Sequence, residues 1–268
     1  MERIAIISDV HANKSALEAV LRDIHSRNIS RIICLGDSIT KCTHPDFVVD
    51  ELKKNCAVIL KGNCDETICV PSATGKNFWS RVKIGEERAN YLYNLPVSYE
   101  FYLSGHLVRL FHASPFGLST IYNPMFSNNI DNSHYSPSEL KTPMDLFSNT
   151  SFIGKTENDP IPDIIGYGHI HTSNFFRFKN KTIFNPGSVG IPIEMENIDK
   201  FDKTNCFSTV ASYTILEGVV GLEVLAPIAI NMVRVPYNLE QEILDLENSN
   251  MPGKEKTIFC LKTASPNF

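Results

Sequence analysis

The feature that most constrains the fold is a repeated order in the first third of the chain: an apolar strand, a polar turn and an amphipathic helix. Residues 3–8 (RIAIIS) are almost continuously apolar. Apolar side chains then follow at helical spacing, at Leu17, Val20, Leu21 and Ile24. Residues 31–35 (RIICL) begin a second round and residues 57–60 a third, which leads to a helix near residues 86–93. This alternation predicts an α/β fold with a parallel sheet covered by helices.

From Val97 onward the pattern changes to short alternating strands, so the chain also has mixed α+β character. The predicted strands are YEFYL (99–103), LVRLF (107–111), NFFRF (174–178), TIFN (182–185) and residues 208–215, 219–225 and 230–235. These segments predict antiparallel strands in a second sheet. Residues 239–246 predict one short helix, and residues 258–262 predict a final strand.

Polar side chains follow the predicted strands at the point where each strand ends. The segments are Asp9-Val10-His11, Gly36-Asp37, Gly62-Asn63, His112 and Gly168-His169-Ile170-His171. In open sheets of this kind, the carboxyl ends of the strands converge on one crevice. Residues two apart on an extended chain point the same way, so we expect Asp9 and His11 to face one point in space.

A single pair of this kind is weak evidence, because short polar pairs are common turn residues and a lone histidine, such as His25 or His106, is more often a surface or core residue. The joint order DVH, GD, GNCD, FH and GHIH, each closing a predicted strand, is much harder to obtain by chance. Mixed imidazole and carboxylate ligation suits Mn, Fe, Co, Ni or Zn, whereas Ca and Mg sites use oxygen almost alone. The sequence therefore predicts a transition-metal site.

These motifs resemble the calcineurin-like metallophosphoesterases, whose pattern is D-x-H, GD, GNH-D/E, a single H and GHxH. The motifs run from Asp9 to His171, and the alternation of elements extends the resemblance over most of the chain. The resemblance implies a four-layer sandwich of two mixed β-sheets flanked by helices, with a two-metal site at one edge. Residues 185–190 (NPGSVG) and the segment RVPYNLEQ are similar to the bacterial branch of small phosphodiesterases and diadenosine tetraphosphatase-like proteins.

By position, the resemblance implies two divalent transition-metal ions (Mn, Fe, Zn, Ni or Co) bridged by Asp37. The first ion would be bound by Asp9, His11, Asp37 and His171. The second ion would be bound by Asp37, Asn63, His112 and His169. Asp37 and Asn63 are the expected catalytic residues. The implied reaction is hydrolysis of a small phosphorylated substrate, a phosphodiester or nucleotide, by a metal-bridging hydroxide.

Cys64 departs from the family pattern, which has a histidine at this position to contact the phosphate and protonate the leaving group. Loss of a general acid costs about 10²–10⁴ in rate, so substrates with stable leaving groups are favoured. Three interpretations of Cys64 stay open: a small packing residue, a thiol that binds substrate, and a redox-sensitive inhibitory site. A phosphomonoesterase or protein phosphatase is an alternative function, as is a non-catalytic metal-binding scaffold similar to the retromer subunit of this fold.

Residues 113–162 form a stretch rich in Ser, Asn, Thr and Pro that is too long for a plain connection, so we expect a lid or insertion beside the site. His134 is a candidate substrate-binding residue that could replace the absent acid. Aromatic side chains there could stack on a base, at Phe116, Tyr122, Phe126 and Tyr135. A plain surface excursion is the alternative. The chain is expected to be one domain, residues 1–268, with a C-terminal extension at 236–268.

The composition limits the binding partners and the cell compartment that we expect for this protein. A formal net charge of −5 without a run of Lys or Arg argues against a nucleic-acid surface. No stretch approaches membrane-spanning length and the N-terminal apolar run is too short for a secretory signal, so we expect a cytoplasmic protein without membrane contact. Seven cysteines without paired spacing favour reduced thiols. The predicted partner is the phosphorylated substrate. A homodimer is one arrangement left open.

Overall fold

Two five-stranded sheets form the centre of the molecule. The computed structural model describes residues 1–70, 74–122, 140–194, 208–221 and 225–263. The first sheet has the order β10-β9-β1-β2-β3, with strands at Glu2–Ile7 (β1), Arg31–Cys34 (β2), Val58–Ile59 (β3), Val210–Gly218 (β9) and Ala229–Pro236 (β10). The second has the order β4-β5-β6-β8-β7, with strands at Ser98–Leu103 (β4), His106–Phe111 (β5), Ile164–Tyr167 (β6), Asn174–Phe178 (β7) and Lys181–Asn185 (β8).

Helices cover the outer face of the first sheet. Those that contribute side chains to the core beneath this face span Lys14–Ser26 (α1), Pro45–Asn55 (α2), Asn63–Cys69 (α3) and Gly75–Tyr93 (α4, kinked at Gly85). Two further helices, Leu239–Asn248 (α5) and Lys254–Thr263 (α6), pack together around a separate small core. Asn13 caps α1 by accepting a hydrogen bond from the Ala16 N–H. None of the helices in the described ranges combines the length and hydropathy needed to cross a bilayer.

The alternating side chains of β1 explain how the layers pack. Ala5 and Ile7 lie in the core between the first sheet and its helices. Ile4 and Ile6 point the other way, into the core between the two sheets. A strand buried on both faces reads as a continuous apolar run, which is why RIAIIS lacks the polar alternation of a surface strand. The predicted sandwich of two mixed sheets is confirmed.

The outer face of the second sheet is covered by short 3-10 turns in the described part of the chain. These turns span Pro143–Phe147 and Ser151–Ile153. Leu146 and Phe147 are buried against Phe111, Tyr167 and Ile183 of the sheet. The described portion of residues 113–162 therefore forms the fourth layer of the sandwich. Residues 123–139 lie outside the described residues, and the lid at 113–162 stays a prediction.

The second half of the chain differs from the prediction in strand pairing. Strands β4 and β5 pair antiparallel, as do β7 and β8, but β6 runs parallel to β5 and to β8. Strands β9 and β10 join the first sheet through an antiparallel pairing of β9 with β1. The strand predicted at 219–225 is wrong for its described part, where Val220 makes only an isolated bridge to Leu103. Chain direction in a sheet is set by long-range packing, which local alternation does not encode.

The final strand predicted at 258–262 is also wrong, because these residues belong to α6. Ile258 and Leu261 are three residues apart and therefore lie on one face of the helix. Both contact a small core with Leu246 of α5 and Met251. Tertiary packing of this apolar pair overrides the β-propensity of the TIF segment.

A buried carboxyl group joins α5 to the start of α1. Glu242 is fully buried, and its Oε2 accepts a hydrogen bond from the Ser15 N–H at 3.2 Å. Its Oε1 has no hydrogen-bond partner among the described residues. Burial raises the pKa of Glu242 from 4.5 to about 7. The folded protein therefore favours the neutral acid.

We predict that Glu242→Gln changes how stability depends on pH. Because the folded-state pKa is raised, the contribution of Glu242 is fully present below pH 4.5 and is lost as pH rises through about 7. The variant has no group to ionise there, so its stability relative to wild type should rise by up to about 3 kcal/mol between pH 4.5 and 8. Urea unfolding at several pH values measures this difference. Parallel curves for the two proteins would contradict the prediction.

Candidate metal centre

The carboxyl ends of strands from both sheets converge on one edge of the sandwich. The loop after β1 is bonded to the loop after β2, since the Asp9 N–H donates to the Gly36 carbonyl and the His11 N–H to the Asp37 carbonyl, both at 3.0 Å. In the second sheet, the Gly168 N–H donates to the His112 carbonyl at 2.7 Å. These backbone bonds hold the polar loops of each sheet in fixed register.

Asp9, His11 and His171 form the first cluster of donor atoms. His11 Nε2 and His171 Nε2 are 3.0 Å apart. Asp9 Oδ1 lies 3.3 Å from His171 Nε2 and 3.8 Å from His11 Nε2. All three residues are buried, and they come from opposite sheets. The structure thus brings together residues that are 160 positions apart in the chain.

Asp37, His112 and His169 form the second cluster. His112 Nε2 lies 3.5 Å from Asp37 Oδ1 and 3.2 Å from His169 Nδ1. The Oδ1 of Asn63, the first residue of α3, lies 3.0 Å from His112 Nε2. The other oxygen of Asp37 is 3.7 Å from His11 Nε2 in the first cluster. Asp37 therefore lies between the two clusters.

Backbone carbonyls determine which nitrogen of each imidazole faces the centre. The Nδ1 atoms of His11, His112 and His171 lie 3.3, 3.0 and 2.7 Å from the carbonyl oxygens of Ile39, Leu35 and Ile191, respectively. A carbonyl accepts only, so each Nδ1 must carry a proton, and in the neutral ring, which is the form that ligates metals, each Nε2 then presents a lone pair. Three lone pairs are thereby directed into the site.

The donor set fits divalent transition-metal ions. Two Nε2 lone pairs 3.0 Å apart repel each other unless a cation lies between them. Asp9 Oδ2 accepts hydrogen bonds from Ser8 Oγ at 2.6 Å and from the His169 N–H at 2.9 Å. Asp9 Oδ1 is buried and has no hydrogen-bond donor among the residues described. An unsatisfied carboxylate oxygen beside imidazole lone pairs is the arrangement that Zn, Mn, Fe, Co or Ni prefers.

The charge states favour the ligand form of these groups. Burial alone would raise the pKa of Asp9, but the positive charge of the neighbouring imidazoles in their protonated form, His171 foremost, holds it well below its usual value. Burial, followed by the positive charge of Lys41, lowers the pKa of His11. Burial and His112 lower the pKa of His169 to about 4. An ionised carboxylate and neutral imidazoles are the states that bind metal.

The candidate ligands have an uncommon backbone conformation. Left-handed φ angles occur at Asp9 (54°), His11 (50°), Asp37 (54°), His169 (66°) and His171 (61°). For residues other than glycine, such angles cost on the order of 1–3 kcal/mol each and persist only where the surrounding structure imposes them. We predicted that Asp9 and His11 face one point because the chain is extended there. Both side chains do reach the same cluster, but the backbone is left-handed and not extended, so the stated reason is wrong.

Two glycines of the motifs leave room for the carboxylates. A Cβ on Gly62 would lie 2.2 Å from both the backbone nitrogen and Oδ1 of Asp37. A Cβ on Gly168 would lie 2.0 Å from Ser8 Oγ and 2.9 Å from Asp9 Oδ2. Neither position can take a larger residue without moving a candidate ligand.

The model of the calcineurin-like phosphoesterase superfamily domain matches residues 3–201. The chain belongs to this superfamily. The family that the motifs predicted is thereby confirmed.

Relatives of this superfamily member extend over nearly its whole length. An uncharacterized protein of Methanocaldococcus jannaschii is 27% identical over 261 residues, which cover 93% of each chain. A metallophosphoesterase from Sphaerobacter thermophilus superposes with a TM-score of 0.66 at 22% identity, covering 97% of this chain and 99% of the other. A hypothetical protein from Pyrococcus horikoshii gives 0.65 at 17% identity, covering 97% and 98%. These two structures share the fold.

Cys64, the departure from the superfamily pattern, lies at the centre and not in the core. Its Sγ lies within 4.8 Å of a ligand atom of His11 and of one of Asp37. Its backbone N–H donates to Asp37 Oδ1 at 2.8 Å. Burial, and then the charge of Asp37, raise the pKa of the Cys64 thiol. The geometry therefore places the thiol beside the candidate bridging carboxylate.

The remaining predicted residues either lie outside the described part of the chain or make no polar side-chain contact with the two clusters within it. His134, Phe126 and Tyr135 lie outside the described residues. Phe116 is exposed, and Tyr122 packs partly buried against the outer face of the second sheet. Substrate binding by His134 therefore stays a prediction.

Two polar residues at the centre were not predicted from the sequence. Ser8 donates its hydroxyl proton to Asp9, and its position directly before the D-x-H motif is the sequence signal for this contact. Lys41 places its Nζ 3.0 Å from His11 Nε2. No sequence signal indicated this contact, because it depends on a left-handed turn that contains no glycine, with φ values of 73° at Thr40 and 67° at Lys41.

Proposed function

We propose that this protein is a binuclear-metal phosphoesterase that hydrolyses a small phosphorylated substrate. The observation that carries the proposal is the position of Asp37 between two clusters, with one oxygen 3.7 Å from His11 Nε2 and the other 3.5 Å from His112 Nε2. A carboxylate with one oxygen towards each cluster suits a bridge between two ions. The first ion would be held by Asp9, His11, Asp37 and His171. The second would be held by Asp37, Asn63, His112 and His169.

The ions would supply Lewis acidity towards the phosphoryl oxygens and an activated water. The chain's own residues hold this arrangement. Ser8 and the His169 N–H fix one oxygen of Asp9, and this leaves the other oxygen free for ligation. Two divalent charges exceed the two carboxylate charges of Asp9 and Asp37, so the loaded centre would attract an anionic phosphate although the chain is acidic overall.

The absence of a histidine at position 64 supports a substrate class. A thiol whose pKa is raised by burial is a weaker acid and a weaker hydrogen-bond donor than the imidazolium that it replaces, and the loss of a general acid costs about 10²–10⁴ in rate. Esters with stable leaving groups depend least on such an acid. We therefore infer a phosphodiester or nucleotide as substrate, and not an unactivated alkyl phosphate.

The test is hydrolysis by metal-stripped protein with Mn, Ni, Co, Zn or Mg restored singly. Bis-nitrophenyl phosphate and nitrophenyl phosphate separate diesterase from monoesterase activity. We expect diester turnover to rise by at least about 10³-fold when a transition-metal ion is restored. Faster turnover of the monoester would favour the phosphomonoesterase. Two bound ions without turnover of either ester would favour the non-catalytic scaffold and overturn the proposed activity.

A further inference from the structure

The ammonium group of Lys41 lies inside the candidate metal centre. Its Nζ is 3.0 Å from His11 Nε2 and 3.4 Å from His171 Nε2. Both nitrogens present lone pairs, because their Nδ1 atoms face backbone carbonyls. Lys41 therefore donates to the same two lone pairs that would ligate the first ion.

The backbone around Lys41 fixes this position. Thr40 and Lys41 are consecutive left-handed residues, with φ values of 73° and 67°. The Cys42 N–H donates to the His11 carbonyl at 3.0 Å, and Thr257 of α6 donates its hydroxyl proton to the Lys41 carbonyl at 3.0 Å. A strained turn bonded on both sides, at a site lined by candidate ligands, is typical of a functional position.

Lys41 also lacks the partner that a lysine usually has. In the described ranges, no carboxylate oxygen lies within 4.0 Å of Lys41 Nζ, although Asp9 Oδ1 and Asp37 Oδ2 lie 3.8 and 3.7 Å from the His11 Nε2 that Lys41 contacts. An imidazole lone pair accepts one partner only, so Lys41 must give up both acceptors when His11 and His171 ligate a metal. The ammonium then lies at the edge of the loaded centre without a partner.

The surroundings of Lys41 are suited to an anion. Desolvation, and then repulsion from Lys41, lower the pKa of Lys76 at the start of α4. A second ammonium thus lies near the first, although the Lys76 side chain remains exposed. Cys64, which replaces the family's phosphate-contacting histidine, lies at the same place, since its Sγ is within 4.8 Å of a ligand atom of His11, the residue that Lys41 contacts.

We propose that Lys41 donates hydrogen bonds to His11 Nε2 and His171 Nε2 in the metal-free protein, and that it binds a phosphate oxygen of the substrate in the metal-loaded protein. It would supply the positive charge that Cys64 does not. An ammonium is a compact point charge that binds phosphate without demanding planar geometry. This inference rests on the proposed function and assigns a substrate-binding residue to it.

Lys41→Met tests the proposal through two binding measurements that do not depend on turnover. Removing an ammonium that competes for the ligands should tighten Mn²⁺ binding to the metal-stripped protein by about tenfold. A like charge within 4–6 Å typically shifts a pKa by one unit or more, which corresponds to a tenfold change in an equilibrium constant. Binding of inorganic phosphate to the Mn²⁺-loaded protein should weaken by about tenfold or more, the usual effect of losing a charge-assisted hydrogen bond. Calorimetric titration measures both.

Two further variants make the result specific. Lys41→Arg keeps the charge and should retain most phosphate binding. Lys54→Met removes a lysine from the exposed face of α2, where it pairs with Glu51, and should change neither affinity. Opposite shifts for the two ligands in Lys41→Met, absent in Lys54→Met, are the expected result.

The remaining outcomes are distinct. If both affinities are unchanged in Lys41→Met, or both are lost, the role of Lys41 is overturned. Removing a residue that only supports the loop cannot tighten metal binding. The Mn²⁺ and phosphate affinities could also shift in opposite directions in a protein that hydrolyses no phosphate ester. This result would overturn the proposed activity alone and keep Lys41 as a phosphate-binding residue. A wild-type chain that binds no Mn²⁺ overturns both.

Discussion

Asp37→Asn is expected to lower metal-dependent phosphodiester turnover by about 10³-fold or more, equivalent to about 4 kcal/mol of transition-state stabilisation. Asp37 is the carboxylate that faces both clusters, and an amide carries no charge to hold two ions together. Asn is the preferred replacement because its side-chain oxygen can still accept the Cys64 N–H bond that Asp37 Oδ1 accepts at 2.8 Å. Steady-state kinetics with bis-nitrophenyl phosphate and Mn²⁺ titration measure the effect.

The metal stoichiometry separates this effect from misfolding. We expect Asp37→Asn to keep its unfolding transition while binding fewer than two ions. Asp50→Asn is the matched control, since Asp50 lies on α2 with a half-exposed side chain paired to Arg88. Near-normal turnover in Asp37→Asn would contradict a bridging role for this carboxylate.

Arg109→Met is expected to destabilise the fold by about 3 kcal/mol. Arg109 on β5 is fully buried, and its Nε donates to Glu100 of β4 at 2.5 Å. Its other nitrogens donate to the Ser148 carbonyl, Asn149 Oδ1 and the Pro160 carbonyl. Methionine would fill much of the volume but leave Glu100 Oε1 and these acceptors without the donors of Arg109, while Lys155 still donates to the other Glu100 oxygen.

Urea unfolding of Arg109→Met against Arg177→Met measures this contribution. Arg177 lies on the edge strand β7 of the same sheet and is exposed, so its replacement should change stability by less than about 0.5 kcal/mol. Equal stability of the two variants would show that the buried arginine contributes no more than a surface one. The contacts of Arg109 tie the 140–160 segment to the second sheet, so proteolysis within this segment should also become faster.

The sequence predicted the candidate site wherever a candidate metal ligand directly follows a strand. The carboxylate and imidazole candidate ligands follow four strands, β1, β2, β5 and β6, whose ends meet at one edge of the sandwich. In chain order they are Asp9, His11, Asp37, His112, His169 and His171. The convergence of strand ends is a property of the fold class, so alternation of elements was enough to predict it. The superfamily followed from the same residues.

The parts that escaped prediction depend on long-range packing. Nothing local indicates that Asp9 or His171 adopts a left-handed backbone, because hydrogen bonds from other loops impose it. The pairing of β9 with β1 and the helical state of residues 258–262 are likewise set by distant partners, such as Leu246 for Leu261. In the sequence, Arg109 is a single charged residue in an apolar strand, and three of its four acceptors lie 39 to 51 residues away.

The origin of the ligands in both sheets has a mechanical consequence. Asp9, His11 and Asp37 follow strands of the first sheet, whereas His112, His169 and His171 follow strands of the second. A pair of ions bound there would form a non-covalent cross-link across the sandwich, at the edge where the strand ends are otherwise joined by loops. Ligand at 100 times its dissociation constant stabilises a fold by about 2.7 kcal/mol. Metal supply would therefore change the stability of the folded chain as well as the proposed reaction.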